Sequence, residues 1–277
     1  MVGLTATESR NVEKGVFGAA LLAGPANVVM QLSWPGVGYG VMESRVTSGR
    51  VDLHPIKRQR TTLTYLAVVA LGTDEERQIY KKAVDTSHRQ VFDDENSRSP
   101  VKYHGMNPDL QLWVAACLYR GIEDVYEVFW GGIPEDEREE VYRNSHTLGT
   151  TLQVRESMWP ATREEFDAYW EKGLDEVRID DAVREYLMGV VEVRHFPLGL
   201  TRPFAGLNRF ITTGFLPQRF RDEMQLPWSD AQQRRWDRLM TVVGWVTRRT
   251  PRLLREYPFN YYLWDFRRRV RAGRPLV

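Results

Sequence analysis

The sequence has little cysteine and little excess charge of either sign. A single cysteine, Cys117, among 277 residues excludes an internal disulfide and a structural zinc site built on cysteine ligands. The 38 basic residues nearly cancel the 37 acidic ones, so the overall charge favours neither nucleic acid nor an acidic substrate. Because a lone thiol suits a reducing compartment, we expect a cytoplasmic protein.

A secretory signal and a clean membrane span are also missing. The N-terminal residues, "MVGLTATESRNVEKG", begin polar and charged, so we expect no export. Residues 15–42 carry no charge and are long enough to cross a bilayer, but their glycines, Pro25 and Pro35 break them into short pieces. We therefore expect a wall of short, closely packed helices, with peripheral membrane contact as an open alternative.

The common signatures of hydrolases and nucleotide-binding enzymes are absent from the sequence. There is no Gly-x-Ser-x-Gly elbow, no Walker loop and no His-Glu-x-x-His. The glycine-rich "GVGYG" of residues 36–40 has the wrong spacing for a dinucleotide loop, and we interpret it as a tight junction between helices. Cys117 lies in an apolar segment, which favours a buried structural thiol over a nucleophile.

Helical periodicity dominates the rest of the chain. Apolar residues recur with period 3.6 and no long run alternates with period two, which predicts an all-α fold. We expect one domain over residues 1–277, with its core at about 20–250 and an Arg-rich helix at about 259–271. Thr73, Asn107, Thr162 and Ser229 are predicted N-caps. The predicted helices are residues 12–22, 25–33, 37–46, 56–71, 74–92, 107–130, 134–153, 162–173, 179–193, 203–215, 229–248 and 259–271, with a long loop at 93–105.

His88 is the histidine whose position is most informative. On the predicted 74–92 helix it shares a face with Tyr80 and Val84, while charged residues take the other face. A buried core histidine and a metal ligand both fit this pattern. A further pattern is "EVRH" at residues 192–195, which matches "DTSH" at 85–88 in having a carboxylate three residues before a histidine. Two such pairs suit a carboxylate-bridged di-iron site, but that site also needs two further glutamates.

The segment before His88 points to a second kind of metal site, a haem iron. A single histidine on the apolar face of a helix can hold a haem iron. The preceding helix begins "KRQRTTLTYL", which places Lys57, Arg58 and Arg60 ahead of an otherwise apolar segment. A guanidinium at the mouth of an apolar slot would suit a haem propionate. A solvated basic first turn explains the same residues equally well.

Four segments, taken in order along the chain, resemble a known family. They are "ANVVMQLSWPGVGYGVMESRV", "KRQRTTLTYLAVVALGTDEERQ", "VDTSHRQV" and "YHGMNPDLQLWVAACL". They are similar to the oxygenases related to rubber oxygenase (latex clearing protein) and to the mycophenolic acid pathway enzyme that cleaves a farnesyl side chain. The resemblance covers roughly residues 20–250 and implies a globin-like helical core that binds b-type haem.

The resemblance also implies roles for individual residues. His88 corresponds to the proximal haem ligand, and Arg58 and Thr62 to residues that polarise or position the bound oxygen. Glu43 is the best match to a proposed base that removes an allylic proton. The implied reaction is oxidative cleavage of a carbon–carbon double bond in an apolar, isoprenoid or lipid-like small molecule by dioxygen, without a nucleic-acid partner.

Two positions depart from the family pattern. Thr61 stands where rubber oxygenase has a lysine that can cap the iron, and Cys117 stands near a threonine of the relatives. We expect Thr61 and Cys117, together with Tyr65 and Trp113, to contact the haem. A non-haem di-iron oxidoreductase and a haem-binding or lipid-binding protein without catalysis remain open as alternatives.

Overall fold

The computed structural model describes residues 17–47, 49–195 and 202–277. Across these residues the chain is helical, and the one extended contact is an isolated antiparallel bridge between Phe92 and His104. The predicted all-α class is therefore confirmed. The globin-like arrangement of the helices stays a prediction.

The helices vary from single turns to more than six turns. Short 3₁₀ segments lie at Gly18–Ala23, Glu156–Met158 and Arg202–Phe204. The α-helices are α1 (Gly24–Leu32), α2 (Pro35–Met42), α3 (Pro55–Leu71), α4 (Asp74–His88), α5 (Pro108–Trp130), α6 (Glu135–Asn144), α7 (Thr147–Thr150), α8 (Arg163–Leu174), α9 (Asp181–Val191), α10 (Ala205–Phe215), α11 (Gln218–Glu223), α12 (Asp230–Arg249), α13 (Arg252–Arg255) and α14 (Phe259–Arg271).

The four predicted N-caps are all formed. Thr73 and Ser229 each close a capping box, in which the side chain of the third helical residue returns a hydrogen bond to the cap. Asn107 accepts from the backbone N–H of Asp109 at 2.8 Å, and Thr162 accepts from that of Glu165 at 3.2 Å. These caps start α4, α5, α8 and α12, including the two helices that matter most for the site.

The prediction of a helix junction at residues 36–40 is wrong, because "GVGYG" lies inside α2. Its glycines serve close packing between helices. A Cβ atom on Gly38 would lie 2.6 Å from the carbonyl oxygen of Leu32, which only glycine tolerates. The uncharged segment thus folds into two short helices, as its prolines predicted.

Four predicted helices end at least two residues earlier than expected. The helices predicted at 37–46 and 74–92 end at Met42 and His88. The single helix predicted at 134–153 is divided into α6 and α7 by a turn at Ser145 and His146, where Asn144 and Ser145 favour non-helical hydrogen bonds. The helix predicted at 179–193 stops at Val191, and Val193 has a φ of 57°. Most of the helix predicted at 12–22 lies outside the described residues.

The buried core is organised around α5. Trp113 of this helix stacks between Trp34, at a ring distance of 4.6 Å, and Trp170, at 5.1 Å. A second apolar cluster joins α3, α4 and α14, and α14 packs lengthwise on α3. Among the described residues, no helix combines the length and apolar character needed to cross a bilayer.

Candidate functional site

A cavity lies between the glycine-rich helices α1 and α2 on one side and α3, α4 and α5 on the other. Its volume is about 210 Å³, far more than the roughly 10–15 Å³ that a single water occupies on the same measure. The wall is mainly apolar, which suits an apolar ligand. The apolar contributors are Leu32, Val37, Val41, Val46, Leu66, Val84, Val91, Leu110, Val114, Leu118, Leu152 and Val277.

His88, the last residue of α4, lines this cavity. Its Nδ1 is 3.0 Å from Oε1 of Gln153 and 3.1 Å from Nε2 of Gln111. One nitrogen cannot donate to the first and accept from the second at the same time. Gln153 donates through its Nε2 to Asp85, which leaves its Oε1 facing His88 as an acceptor, and Gln111 Nε2 has another acceptor in the carbonyl of Gly105 at 2.6 Å. We therefore assign the proton to Nδ1, which donates to Gln153.

This tautomer leaves Nε2 of His88 with its lone pair, and no described residue hydrogen-bonds to it. Gln153 is itself fixed, because its Nε2 donates to Asp85 Oδ1, and Asp85 lies 3.5 Å from Lys81 Nζ. A histidine that ligates a metal usually donates its other N–H to such an oriented acceptor. The surroundings of His88 therefore match those of a metal ligand.

The protonation state of His88 points the same way. Burial lowers the pKa of its imidazole, the hydrogen bond to Gln153 opposes part of that shift, and the nearby positive charge of Arg58 lowers the pKa further. The ring is therefore neutral near pH 7. A neutral imidazole is the form that coordinates a metal.

Arg58, on α3, places a positive charge in the cavity wall. Burial lowers the pKa of its guanidinium, and the groups that offset this are the phenols of Tyr186 and Tyr80 rather than a carboxylate. Arginine nevertheless keeps its charge in proteins, and a partly buried charge with no acid partner among the described residues is costly. An anionic ligand group in the cavity would supply the missing partner.

The other predicted residues of α3 also lie at the cavity. Thr61, Thr62 and Tyr65 all line it. The Thr61 hydroxyl is used within the helix, since it donates to the carbonyl of Arg58 at 2.9 Å, and Tyr65 donates to the carbonyl of Leu148. For the hydroxyl of Thr62, no hydrogen bond to another described residue is found.

Glu43, the predicted base, does not line the cavity. Its carboxylate accepts from the Ser97 hydroxyl at 2.6 Å, the Arg98 backbone N–H at 3.0 Å and the Tyr103 hydroxyl at 3.1 Å. These hydrogen bonds lower the pKa of Glu43 even though burial opposes the shift. Glu43 therefore holds the 93–105 loop in place, and only Tyr103, which lines the cavity, connects it to the interior.

Trp113 and Cys117, predicted to contact haem, lie on the other side of α5. Both are fully buried in the aromatic core, where the Trp113 indole donates to the carbonyl of Met30 at 3.2 Å. The cavity is lined instead by Gln111, Val114 and Leu118 of the same helix. Residues 110–119 of α5 are apolar except for Gln111, so periodicity says little about which face turns toward the cavity. Burial raises the pKa of the Cys117 thiol, which disfavours the reactive thiolate.

A di-iron site is not supported by the arrangement of the described residues, which contains no cluster of three or more histidine, cysteine or acidic side chains suited to a metal. Glu192 is ion-paired with Arg194 at 2.7 Å and Arg209 at 3.3 Å. A haem iron, whose porphyrin provides four nitrogen ligands, needs only one such side chain. His88, the apolar wall and the charge of Arg58 fit that requirement.

Comparison with known families identifies the class of protein that has this helical fold and this site. Residues 15–245 match the family described as "ER-bound oxygenase mpaB/B'/Rubber oxygenase, catalytic domain". The match spans most of the chain, and this protein belongs to that family.

Two similar proteins come from mycobacteria. Uncharacterised proteins of Mycobacterium bovis and Mycobacterium tuberculosis are each 49% identical to this chain over 257 residues, which covers 93% of this chain and 100% of either relative. No solved structure matches the chain significantly. The family supports an oxygenase-type activity, and the relatives add no substrate.

Proposed function

We propose that this protein is a b-type haem-dependent oxygenase that cleaves a carbon–carbon double bond in an apolar, isoprenoid or lipid-like substrate. The observation that carries the proposal is the state of His88 in the cavity wall. Its Nδ1 donates to Gln153 at 3.0 Å, and its Nε2 has no hydrogen-bond partner in the part of the chain that the structure describes. Family membership supplies the oxygenase class.

The residues of the cavity divide the work of holding the cofactor. His88 would hold the iron through Nε2, and the charge of Arg58 would pair with a propionate. When bound, haem supplies the redox chemistry of dioxygen. Gln153 would tune the electronic properties of His88 as the iron ligand, and Arg58 would add a fixed positive charge.

The remaining wall binds substrate and excludes water. Val37, Val41, Val114 and Leu118 present an apolar surface with no charge, which favours a hydrocarbon chain. Thr62 adds one hydroxyl on the side of Arg58, where it can orient a polar atom of a ligand. A role for Glu43 in removing a proton would have to be relayed by Tyr103, since Glu43 itself lies outside the cavity.

The test compares two histidines of the same cavity. His104 also lines it, but its Nδ1 accepts from the backbone N–H of Met106 at 3.0 Å and its ring is exposed. After haem supplementation, we expect a Soret band and one iron per chain in the wild type and in His104→Ala, and loss of both in His88→Ala. Circular dichroism of each variant checks that it is folded.

Three results would count against the proposal. Absence of a Soret band from the wild type would overturn haem dependence, and loss of haem in His104→Ala alone would overturn the ligand assignment. Stoichiometric haem binding with no oxygen consumption in the presence of polyprenyl substrates would indicate a binding protein without catalysis.

A further inference from the structure

The outer face of α13 and α14 carries a row of large apolar side chains that no other part of the described chain covers. Leu253 is 77% exposed, Leu254 69%, Tyr257 60%, Tyr261 46% and Trp264 50%. We call these five residues the C-terminal stripe. Single exposed apolar residues are ordinary, but a contiguous set marks an interaction surface.

The stripe is continuous. The rings of Tyr257 and Tyr261 are 6.5 Å apart, and those of Tyr261 and Trp264 are 5.8 Å apart. The spacing of three residues keeps Tyr261 and Trp264 on one side of α14, and the ring contact places Tyr257, in the turn between α13 and α14, beside them. Asn260 donates to the carbonyl of Leu253 at 2.8 Å, which holds α13 and its two leucines against the start of α14.

The segment that carries the stripe is rich in arginine. Residues 251–277 contain seven arginines and two acidic residues, Glu256 and Asp265. Asp265 is buried and paired with Arg268 and Arg269, and Glu256 is paired with Arg252. The Arg268 guanidinium also lies over the Trp264 ring, 5.2 Å from its centroid. Arg267 is paired with Glu76 of α4, so the excess positive charge comes mainly from Arg255, Arg271 and Arg274, for which no ion pair is described. Arg271 follows Trp264 by seven residues and so lies on the same side of α14, which makes this side both aromatic and cationic.

We propose that the C-terminal stripe docks this protein on the surface of an anionic lipid bilayer. Tryptophan and tyrosine are the side chains that favour the bilayer interface, leucine inserts into the acyl boundary, and arginine binds lipid phosphates. Since the described helices include none that spans a membrane, the contact is peripheral. It depends on this outer face and not on haem.

A second copy of the chain fits the stripe less well than lipid does. A two-fold dimer places the same patch on both partners, so the arginines of one copy would face the arginines of the other. An anionic bilayer neutralises those charges instead.

The position of the stripe connects it with the cavity. α14 packs along α3, the helix that carries Arg58 and Thr62 into the cavity wall. Beyond α14, Leu276 and Val277 pack on the apolar cluster between α3 and α4, and Val277 reaches the edge of the cavity. A bilayer held against α14 is therefore close to the cavity, and an apolar substrate could arrive from the lipid phase.

Vesicle flotation with the full-length protein tests the proposal. The vesicles are phosphatidylcholine alone or phosphatidylcholine mixed with phosphatidylglycerol. We expect the wild type to float with the anionic vesicles and to be released by salt. The double variant Leu254→Ser/Trp264→Ser should weaken binding at least about ten-fold, and Arg271→Gln about five-fold.

The matched control is Leu53→Ser, which removes a 58% exposed leucine in the turn before α3, outside the C-terminal stripe, and should leave binding unchanged. Equal binding by the wild type and the double variant would overturn the proposal, as would an equal loss in Leu53→Ser. A wild type that is dimeric without lipid, and monomeric in the double variant, would show that the stripe is instead an interface between copies.

Discussion

His88 and His195 follow the same local pattern, a carboxylate three residues earlier, and each has an Nε2 without a hydrogen-bond partner among the described residues, yet what surrounds the two rings differs. His88 ends α4 and faces a cavity, with Nδ1 engaged by Gln153. His195 lies beyond the end of α9, packs against Tyr186 at a ring distance of 5.7 Å, and has a buried Nε2 without a hydrogen-bond partner among the described residues.

The comparison shows that spacing alone does not make a ligand. Three-residue spacing aligns two side chains only while the helix continues, and the positive φ of Val193 ends that alignment between Glu192 and His195. At His88 even the aligned Asp85 does not contact the ring. It acts through Gln153, which comes from a distant part of the chain.

Among the substitutions that test this difference between the two histidines, the largest effect is expected on the affinity for haem. Gln153→Leu leaves the Nδ1–H of His88 without an acceptor and should weaken haem binding about 10- to 100-fold, measured by haem titration. Gln111→Leu is the matched control, because Gln111 donates chiefly to Gly105, and it should change affinity much less. A strong effect of Gln111→Leu with none from Gln153→Leu would reverse the assigned tautomer.

A smaller effect is expected on the pH dependence of stability. The pKa of His88 is lowered in the folded state, so below the unfolded value of about 6.5 the unfolded chain binds a proton that the native chain resists. The free energy of unfolding of the haem-free protein should therefore fall as the pH drops from 7 to 5.5. In His88→Asn this fall should be smaller by about 1 kcal/mol, measured by urea unfolding at both pH values; an equal slope in the two proteins would contradict the shift.

The smallest effect is expected from a substitution in the second carboxylate–histidine pair, Glu192 and His195. Glu192→Gln removes ion pairs to two arginines that are 44% and 45% exposed, and such pairs contribute about 0.2–1 kcal/mol. Haem content should not change, and thermal unfolding should shift only slightly. Loss of bound iron in this variant would instead revive a non-haem site.

Local signals explain which parts of the structure the sequence could predict. The Thr73 capping box and the period of α4 set the start and the inward face of that helix, so His88 could be placed from nearby residues alone. The threonines and Arg58 of α3 followed from the same reasoning, aided by the family resemblance. Each of these features is decided within a few residues of the chain.

The missed parts of the site depend on long-range packing. Gln153 reaches His88 across 65 residues of chain, and an exposed-looking glutamine has no pattern that predicts this contact. Trp113 and Cys117 do not line the cavity, and little in the sequence indicates this because residues 110–119 are apolar except for Gln111 and carry a weak periodic signal. Gln111, a polar residue among apolar neighbours, was the one available indication of which face turns toward the cavity.

The packing of α14 on α3 sets a distance scale for substrate delivery. α3 has the cavity on one side and α14 on the other, so the cavity and the outer face of α14 are separated by about two helix diameters, roughly 20 Å. That distance is shorter than the thickness of a bilayer core. A long hydrocarbon chain could therefore keep one end in lipid while its double bond reaches the cavity, so the substrate would never need to become fully dissolved in water.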